Sequence, residues 1–351
     1  MTDSAGARWR MPAEWTPHER TWMAWPSSGY TLGDDPAEAD LARRTWAAVA
    51  RAVAAFEPVT VVVEGHDLHT AREHLGTDTA HPVDLVIADL DDAWMRDIGP
   101  SFVLSERGTL GAVDWIFNGW GGQSWASWGK DSRVAALVAD AAGAQRIASP
   151  IVNEGGGIHV DGEGTVLLTE TVQLDPGRNP EATKGDIETE LARTLGVSTA
   201  IWLPRGLTRD YDEYGTRGHV DIVACFVAPG RVLLHWQEDE GHPDHAVSRE
   251  AEQVLRAARD AAGRELEIVR VPAPATTHDE QGPVDWSYIN HLVCNGGVVA
   301  CTFEDPHDER ALAVLREAYP GREVVGVDAR PLFDRGGGVH CITQQQPATR
   351  G

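Results

Sequence analysis

The chain has 351 residues, with 30 lysines and arginines against 54 aspartates and glutamates, a formal net charge of −24. Such a length admits one large domain or about two to three ordinary ones, and 42% hydrophobic residues can fill a substantial core. The acidity excludes a sequence-independent nucleic-acid binder, which needs a basic footprint, and no stretch approaches the ~20 apolar residues that span a membrane.

In chain order, residues 36–56 (PAEADLARRTWAAVARAVAAF) have Pro36 at the start and Leu41, Val49 and Val53 at helical spacing, which predicts an amphipathic helix. The β-branched run Val59 to Val63 predicts a buried strand directly after it. Helices are expected again over 131–142, stopped at Gly143, and over 186–195, stopped at Gly196 before the apolar stretch VSTAIWL. A helix over 244–262 leads into ELEIVRV, and one over 306–318, opened by Pro306, leads into EVVGV. Helices alternating with strands imply an α/β fold. No Gly/Ser linker or charge block divides the sequence, so residues 1–351 are expected to form a single catalytic domain.

A second repetition overlies the first. Residues 153–161 read NEGGGIHVD and 334–342 read DRGGGVHCI, with fainter echoes at 218–226 (GHVDIVACF) and 295–303 (NGGVVACTF). Each is a polar or glycine turn feeding an apolar strand, and glycine there lets backbone approach backbone or a ligand. Self-similar strand starts within one α/β domain suggest radial repetition, with five units of about 70 residues each. In such a fold the turns converge, and with them Asp97 in MRDIGP, Glu154, His219 and Asp221 in GHVD, and Cys341 after His340. Taken singly, each has a plain structural reading, as turn aspartate, buried small thiol or surface hydrogen-bonded pair.

The histidines at 66, 69 and 74, and at 242 and 245, match neither His-Glu-x-x-His nor a Cys/His zinc pattern, so no metal is expected. A phosphate-binding loop and a dinucleotide fingerprint are missing, so nucleotide use is not expected, and there is no Gly-x-Ser-x-Gly elbow. Four cysteines without a Cys-x-x-Cys pair do not make a disulfide scaffold, and MTDSAGARWRMPAEW has no apolar signal-peptide core, so a cytoplasmic location is expected. A thiol, a histidine and several carboxylates without a metal suit attack on a guanidine. Two aspartates can grip the planar guanidinium, the thiolate can attack its carbon, and the histidine can protonate departing ammonia and later activate water.

The same residues carry a resemblance. PAEWTPHERTWMAWP, WMRDIGPSFV, FNGWGG, NEGGGIHVDGEGT, GHVDIVACFVAPG, SYINHLVCNGGVV and GGGVHCITQQQP resemble the agmatine deiminase family, in order from about residue 11 to 347. The resemblance implies the pentein fold, a five-bladed pseudo-symmetric α/β propeller with a central active site. It also implies hydrolysis of agmatine to N-carbamoylputrescine and ammonia, without cofactor, through a cysteine S-alkylthiouronium. On it, Cys341 is the nucleophile, His219 the acid/base, and Asp97 and Asp221 grip the guanidinium. Glu154 holds the histidine or the guanidinium edge, and Trp94 and Trp120 wall the substrate channel. The partner is a small cationic guanidine, with no nucleic acid or membrane, and a homo-oligomer is left open. Alternatives are a deiminase of arginine or a guanidino acid, and an amidinotransferase of the same fold. Where the family more often has Asn or Asp, this chain has Arg217, which at the pocket mouth would repel a dication; outward, it would pair with Asp212 or Glu213. Ile222 and Gly338 also replace residues that are commonly Asn.

Overall fold

The predicted helix–strand alternations fall in sheets of three or four strands that share one unit, in which one strand runs antiparallel to the second and the second runs parallel to the third. The computed structural model describes residues 8–349. The first unit joins Ser101–Ser105, Leu110–Ile116 and Gln145–Val152, with helix Val134–Ala141 before the third strand. The second joins Ile158–Val160, Thr165–Thr169 and Thr199–Leu203 around helix Lys184–Leu195. Ala224–Ala228, Arg231–Trp236 and Glu267–Pro272 with helix Asp244–Ala257 make the third. Leu292–Cys294, Gly297–Thr302 and Glu323–Asp328 with helix Asp308–Ala318 make the fourth.

The fifth unit is assembled from both ends of the chain. Thr343–Pro347 pairs antiparallel with His18–Ala24, in the register Thr343 to Met23 and Gln345 to Thr21. His18–Ala24 pairs parallel with Val59–Val63 and that with Val83–Ile87, with helices Pro36–Val53 and Leu68–Leu75 as the crossovers. The ring is thus a closed five-bladed α/β propeller, as the sequence led us to expect.

First strands of neighbouring blades meet near the axis. Gln344 donates to the Pro100 carbonyl at 2.6 Å, and the Phe226 amide donates to His159 Nδ1 at 3.2 Å. Trp22 Nε1 donates to Gln346 Oε1 at 2.9 Å. Gln344 and Gln346 of HCITQQQP, both buried, are therefore ties across and within blades.

Local chemistry explains the helix limits. Asp35 accepts from the amides of Ala37 and Glu38 with Pro36 in the first turn, the arrangement that favours a helix start. Its buried face is Ala42, Trp46, Val49, Ala50 and Val53; Leu41, assigned to that face from the sequence, is 38% exposed because it lies one residue, about 100°, away. Thr183 and Asp186 form a reciprocal cap that starts the next long helix two residues earlier than expected. The helix expected over 244–262 ends at Ala257, because Asp260 turns its side chain onto the amides of Ala262 and Arg264.

Candidate active site

Each blade's first strand is preceded by a turn, and the five turns deliver the site. Asp97 precedes Ser101–Ser105, Glu154 precedes Ile158–Val160, and His219 and Asp221 precede Ala224–Ala228. Asn290 precedes Leu292–Cys294, and Cys341 precedes Thr343–Pro347. One of the four sequence echoes was misplaced. NGGVVACTF is the hairpin between the first and second strands of the fourth blade, and the true counterpart is SYINH, which carries Asn290. Asn290 therefore escaped the sequence reading.

Asn290 Nδ2 donates to Cys341 Sγ at 3.2 Å, and Asn290 Oδ1 accepts from the His340 amide at 3.0 Å. Asp221 Oδ2 lies 3.6 Å from Sγ. On the other side, Asp97 Oδ1 accepts from the Gly156 amide and Asp97 Oδ2 from Trp120 Nε1, at 3.0 and 2.9 Å. His219 lies between two carboxylates, with Nδ1 3.9 Å from Asp97 Oδ2 and Nε2 3.3 Å from Glu154 Oε2. Cys341, His219, Asp221, Glu154 and Asp97 are all buried, between 0% and 4% exposed. The sequence-predicted reactive residues are therefore one cluster.

The glycines make the close approach feasible. A Cβ on Gly156 would collide with His219 Nδ1 and Asp97, and one on Gly337 would sit 2.7 Å from the Trp94 ring and 3.0 Å from Sγ. Trp94 thus stands beside the thiol. Trp120 is in a turn whose residues 119–122 all have positive φ; for the one member with a Cβ this left-handed conformation costs about 1–2 kcal/mol. In return its indole N–H reaches Asp97. From Trp120 an aromatic series leads outward, stacking on Trp125 at 5.3 Å, then Trp125 edge-on to Tyr214, then Tyr214 stacked on Tyr30 at 3.8 Å.

The ionisation states follow from burial and neighbours. Burial pushes Asp97 up to about 6, with Glu154 and Asp221 adding to the effect against His219. Burial would lower His219, but Asp97 and Glu154 outweigh it and raise the imidazole to about 9. For Glu154 burial is overcome by Arg178 and His219, which hold its carboxyl near 2. Hydrogen bonding from His340 likewise overcomes burial and keeps Asp221 low. The Cys341 thiol is pushed well above its usual range by burial, Asp221 and Asp97. Among the described residues, His219 Nδ1 and Asp221 Oδ1 are buried without a hydrogen-bond partner. Two unused polar atoms within a charged cluster are what a bound donor or acceptor would satisfy.

Arg178 was not foreseen. Its Nε bridges both oxygens of Glu154 at 2.9 and 3.0 Å, Nη1 holds Asp175 at 2.8 Å, and Nη2 donates to the Thr216 carbonyl at 2.7 Å. It sits in the GRNP turn, which has no counterpart in the other blades, so no repeat points to it.

Arg217 is corrected in part. Its guanidinium is on Asp175, 3.2 Å away, not on Asp212 or Glu213, and its side chain is 39% exposed. Nothing places it against Cys341, Asp97 or Asp221. Its φ is +69°, a region where Asn is the favoured non-glycine residue. Arg217→Asn is expected to leave the agmatine-to-arginine ratio of kcat/KM within about twofold and to change stability by less than about 1 kcal/mol; side-by-side kinetics and urea unfolding check both.

Among the described residues no group of three or more His, Cys, Asp and Glu side chains could hold a metal ion. Cys225, Cys294 and Cys301 are buried free thiols in the apolar core, each raised by burial.

Five blades converging on a thiol, an imidazole and three carboxylates place the molecule among the penteins. The model of the Porphyromonas-type peptidyl-arginine deiminase family matches residues 10–347. A Streptomyces coelicolor protein is 59% identical over 341 residues, covering 97% of this chain and 99% of its own. The agmatine deiminase of Ectopseudomonas mendocina is 42% identical over 365 residues, covering 97% and 96%. The solved structure of the Enterococcus faecalis agmatine deiminase superposes with a TM-score of 0.87 at 34% identity, covering 97% of this chain and 96% of that one. The chain belongs to the agmatine deiminase family, within the Porphyromonas-type peptidyl-arginine deiminases.

Proposed function

We propose that the chain is a C–N hydrolase that converts agmatine and water to N-carbamoylputrescine and ammonia at Cys341. The observation that carries the reading is the juxtaposition of Cys341 Sγ with Asp221 on one side and of His219 with Asp97 and Glu154 on the other. Asp97 and Asp221 grip the guanidinium, with Asp221 Oδ1 free for one of its N–H groups. The bound cation favours ionisation of the thiol, and the thiolate attacks the guanidinium carbon. Ammonia leaves with a proton from His219, giving the S-alkylthiouronium. Water, deprotonated by His219, adds to that carbon, the C–S bond breaks, and the urea product departs with Cys341 regenerated as thiolate.

The whole chain works as one catalytic domain in the cytoplasm. No helix among the described residues is long and apolar enough to cross a membrane. An anionic cluster in a chain of net charge −24 suits a dicationic substrate better than a zwitterion.

Ammonia and ureide release from agmatine, arginine and a guanidino acid tests the reading. Turnover of agmatine with equal yields of ammonia and N-carbamoylputrescine is expected, and added glycine should yield no new guanidine. Turnover of arginine alone would overturn it. The pH dependence is specific. Below about 6 Asp97 takes a proton and loses its grip on the guanidinium. On the alkaline side kcat/KM, which reports free enzyme, should keep climbing past neutrality because the free thiol is protonated. The kcat profile should level off at lower pH, since bound guanidinium favours the thiolate. Coincident profiles would remove substrate-assisted ionisation from the mechanism.

A further inference from the structure

We propose that Glu14 and His340 form a buried relay whose work is to fix the orientation and charge of Asp221, making both positioning residues. This rests on the reading of Asp221 as a carboxylate that grips the substrate. The imidazole of His340 lies between two carboxylates, with Nδ1 2.8 Å from Asp221 Oδ2 and Nε2 2.8 Å from Glu14 Oε1. A neutral imidazole has a single N–H; one that donates from both nitrogens is the imidazolium. His340 is 3% exposed and Glu14 5%, so neither charge is answered by solvent.

Glu14 is also where three blades meet. Its Oε1 lies 3.6 Å from Arg96 Nη1 and its Oε2 3.6 Å from His159 Nε2, while its carbonyl accepts from His18 Nε2 at 2.8 Å. Arg96 Nε in turn donates to the His340 carbonyl, and the Arg96 amide to the Cys341 carbonyl. The titratable and charged groups facing His340 are Glu14, Asp221, Arg96, His159, His291, Cys225 and the adjoining Cys341. The two carboxylates hold its proton, and Arg96 opposes them.

The consequence falls on Asp221. With Oδ2 occupied by His340, Oδ1 is the oxygen left over, and it is the buried one without a partner. The relay thus chooses which oxygen faces the substrate and keeps the carboxyl ionised. Glu14 reaches Asp221 through His340, from a segment far away in sequence.

The test compares wild type with Glu14→Gln and Glu14→Asp in the full chain. By nitrogen NMR of histidine-labelled protein, with His340→Asn used for assignment, the His340 imidazolium should lose its proton about one pH unit or more lower in Glu14→Gln. Glu14→Asp, which keeps the charge, should recover part of that shift. For agmatine, the ratio of wild-type to Glu14→Gln kcat/KM should grow about tenfold between mildly acidic and alkaline pH, as His340 loses its proton in the variant alone. An unchanged His340 titration, or a loss of kcat/KM constant across pH, would overturn the relay. The NMR measurement needs no substrate, so it judges the relay even if wild-type protein fails to turn over agmatine, a result that would overturn only the proposed activity.

Discussion

Cys341→Ala is expected to lower ammonia release from agmatine by about 10⁴-fold or more, because no other group can make the bond to the guanidinium carbon. The remaining thiols cannot substitute. Cys225, Cys294 and Cys301 are in the apolar core, with burial raising each of them. Binding should survive the substitution, since Asp97, Asp221 and the tryptophans are untouched. Calorimetry with agmatine would then record a complex that does not turn over. Residual activity within about tenfold of wild type would show that the thiol is not the nucleophile.

The largest expected effect on stability comes from Arg178→Met. Its guanidinium pairs with Glu154 and Asp175 at once, all three being buried, and its removal takes one positive charge from two buried carboxylates. Breaking a buried pair in this way costs about 3–5 kcal/mol, measurable by urea unfolding. The sign of the pH dependence is fixed by Glu154, whose folded-state value of about 2 lies below its ordinary 4.5. The stabilisation is present above about 4.5 and is lost as the pH falls through about 2. The variant should therefore show a shallower loss of stability over that acid range. It should also lose activity, because His219 Nε2 would face a carboxyl that no longer has a fixed position. An acid-unfolding curve parallel to that of wild type would show that Arg178 does not set the Glu154 charge.

The parts of the site readable from sequence are those tied to the repeat. MRDIGP, NEGGG, GHVD and GGGVHC are similar turns before similar strands, and similarity of turn is what a radial fold imposes on its axis. Asn290 was lost because SYINH has no glycine, whereas the glycine pair of NGGVV, one strand's length from the axis turn, attracted attention for hairpin reasons. Arg178 and Glu14 lie outside the repeat, and their roles depend on distances of 24 and 326 residues along the chain to Glu154 and His340. No local pattern carries such a pairing. The same limit applies to Arg217, whose partner Asp175 is 42 residues away and was passed over for nearer acids. Helices were read to within a few residues wherever a proline, a capping side chain or a glycine marked the end; the helix read through 257–262 up to Gly263 ends earlier because Asp260 caps a turn inside that alanine-rich tail.

The pairing of Thr343–Pro347 with His18–Ala24 has a consequence for the order of events during synthesis. The nucleophile is two residues before the strand that shuts the ring, so it is made after every other residue of the site. Until that strand docks, Glu14 and His340 are on unconnected ends, and the first blade's neighbour is missing. A truncated or half-folded chain therefore carries four of the five site turns but no thiol among them. Pairings of such long sequence separation form late, after local helices and hairpins. Reactivity toward guanidines is thereby withheld until the molecule is complete, and the appearance of a reactive Cys341 during refolding reports the final step of assembly.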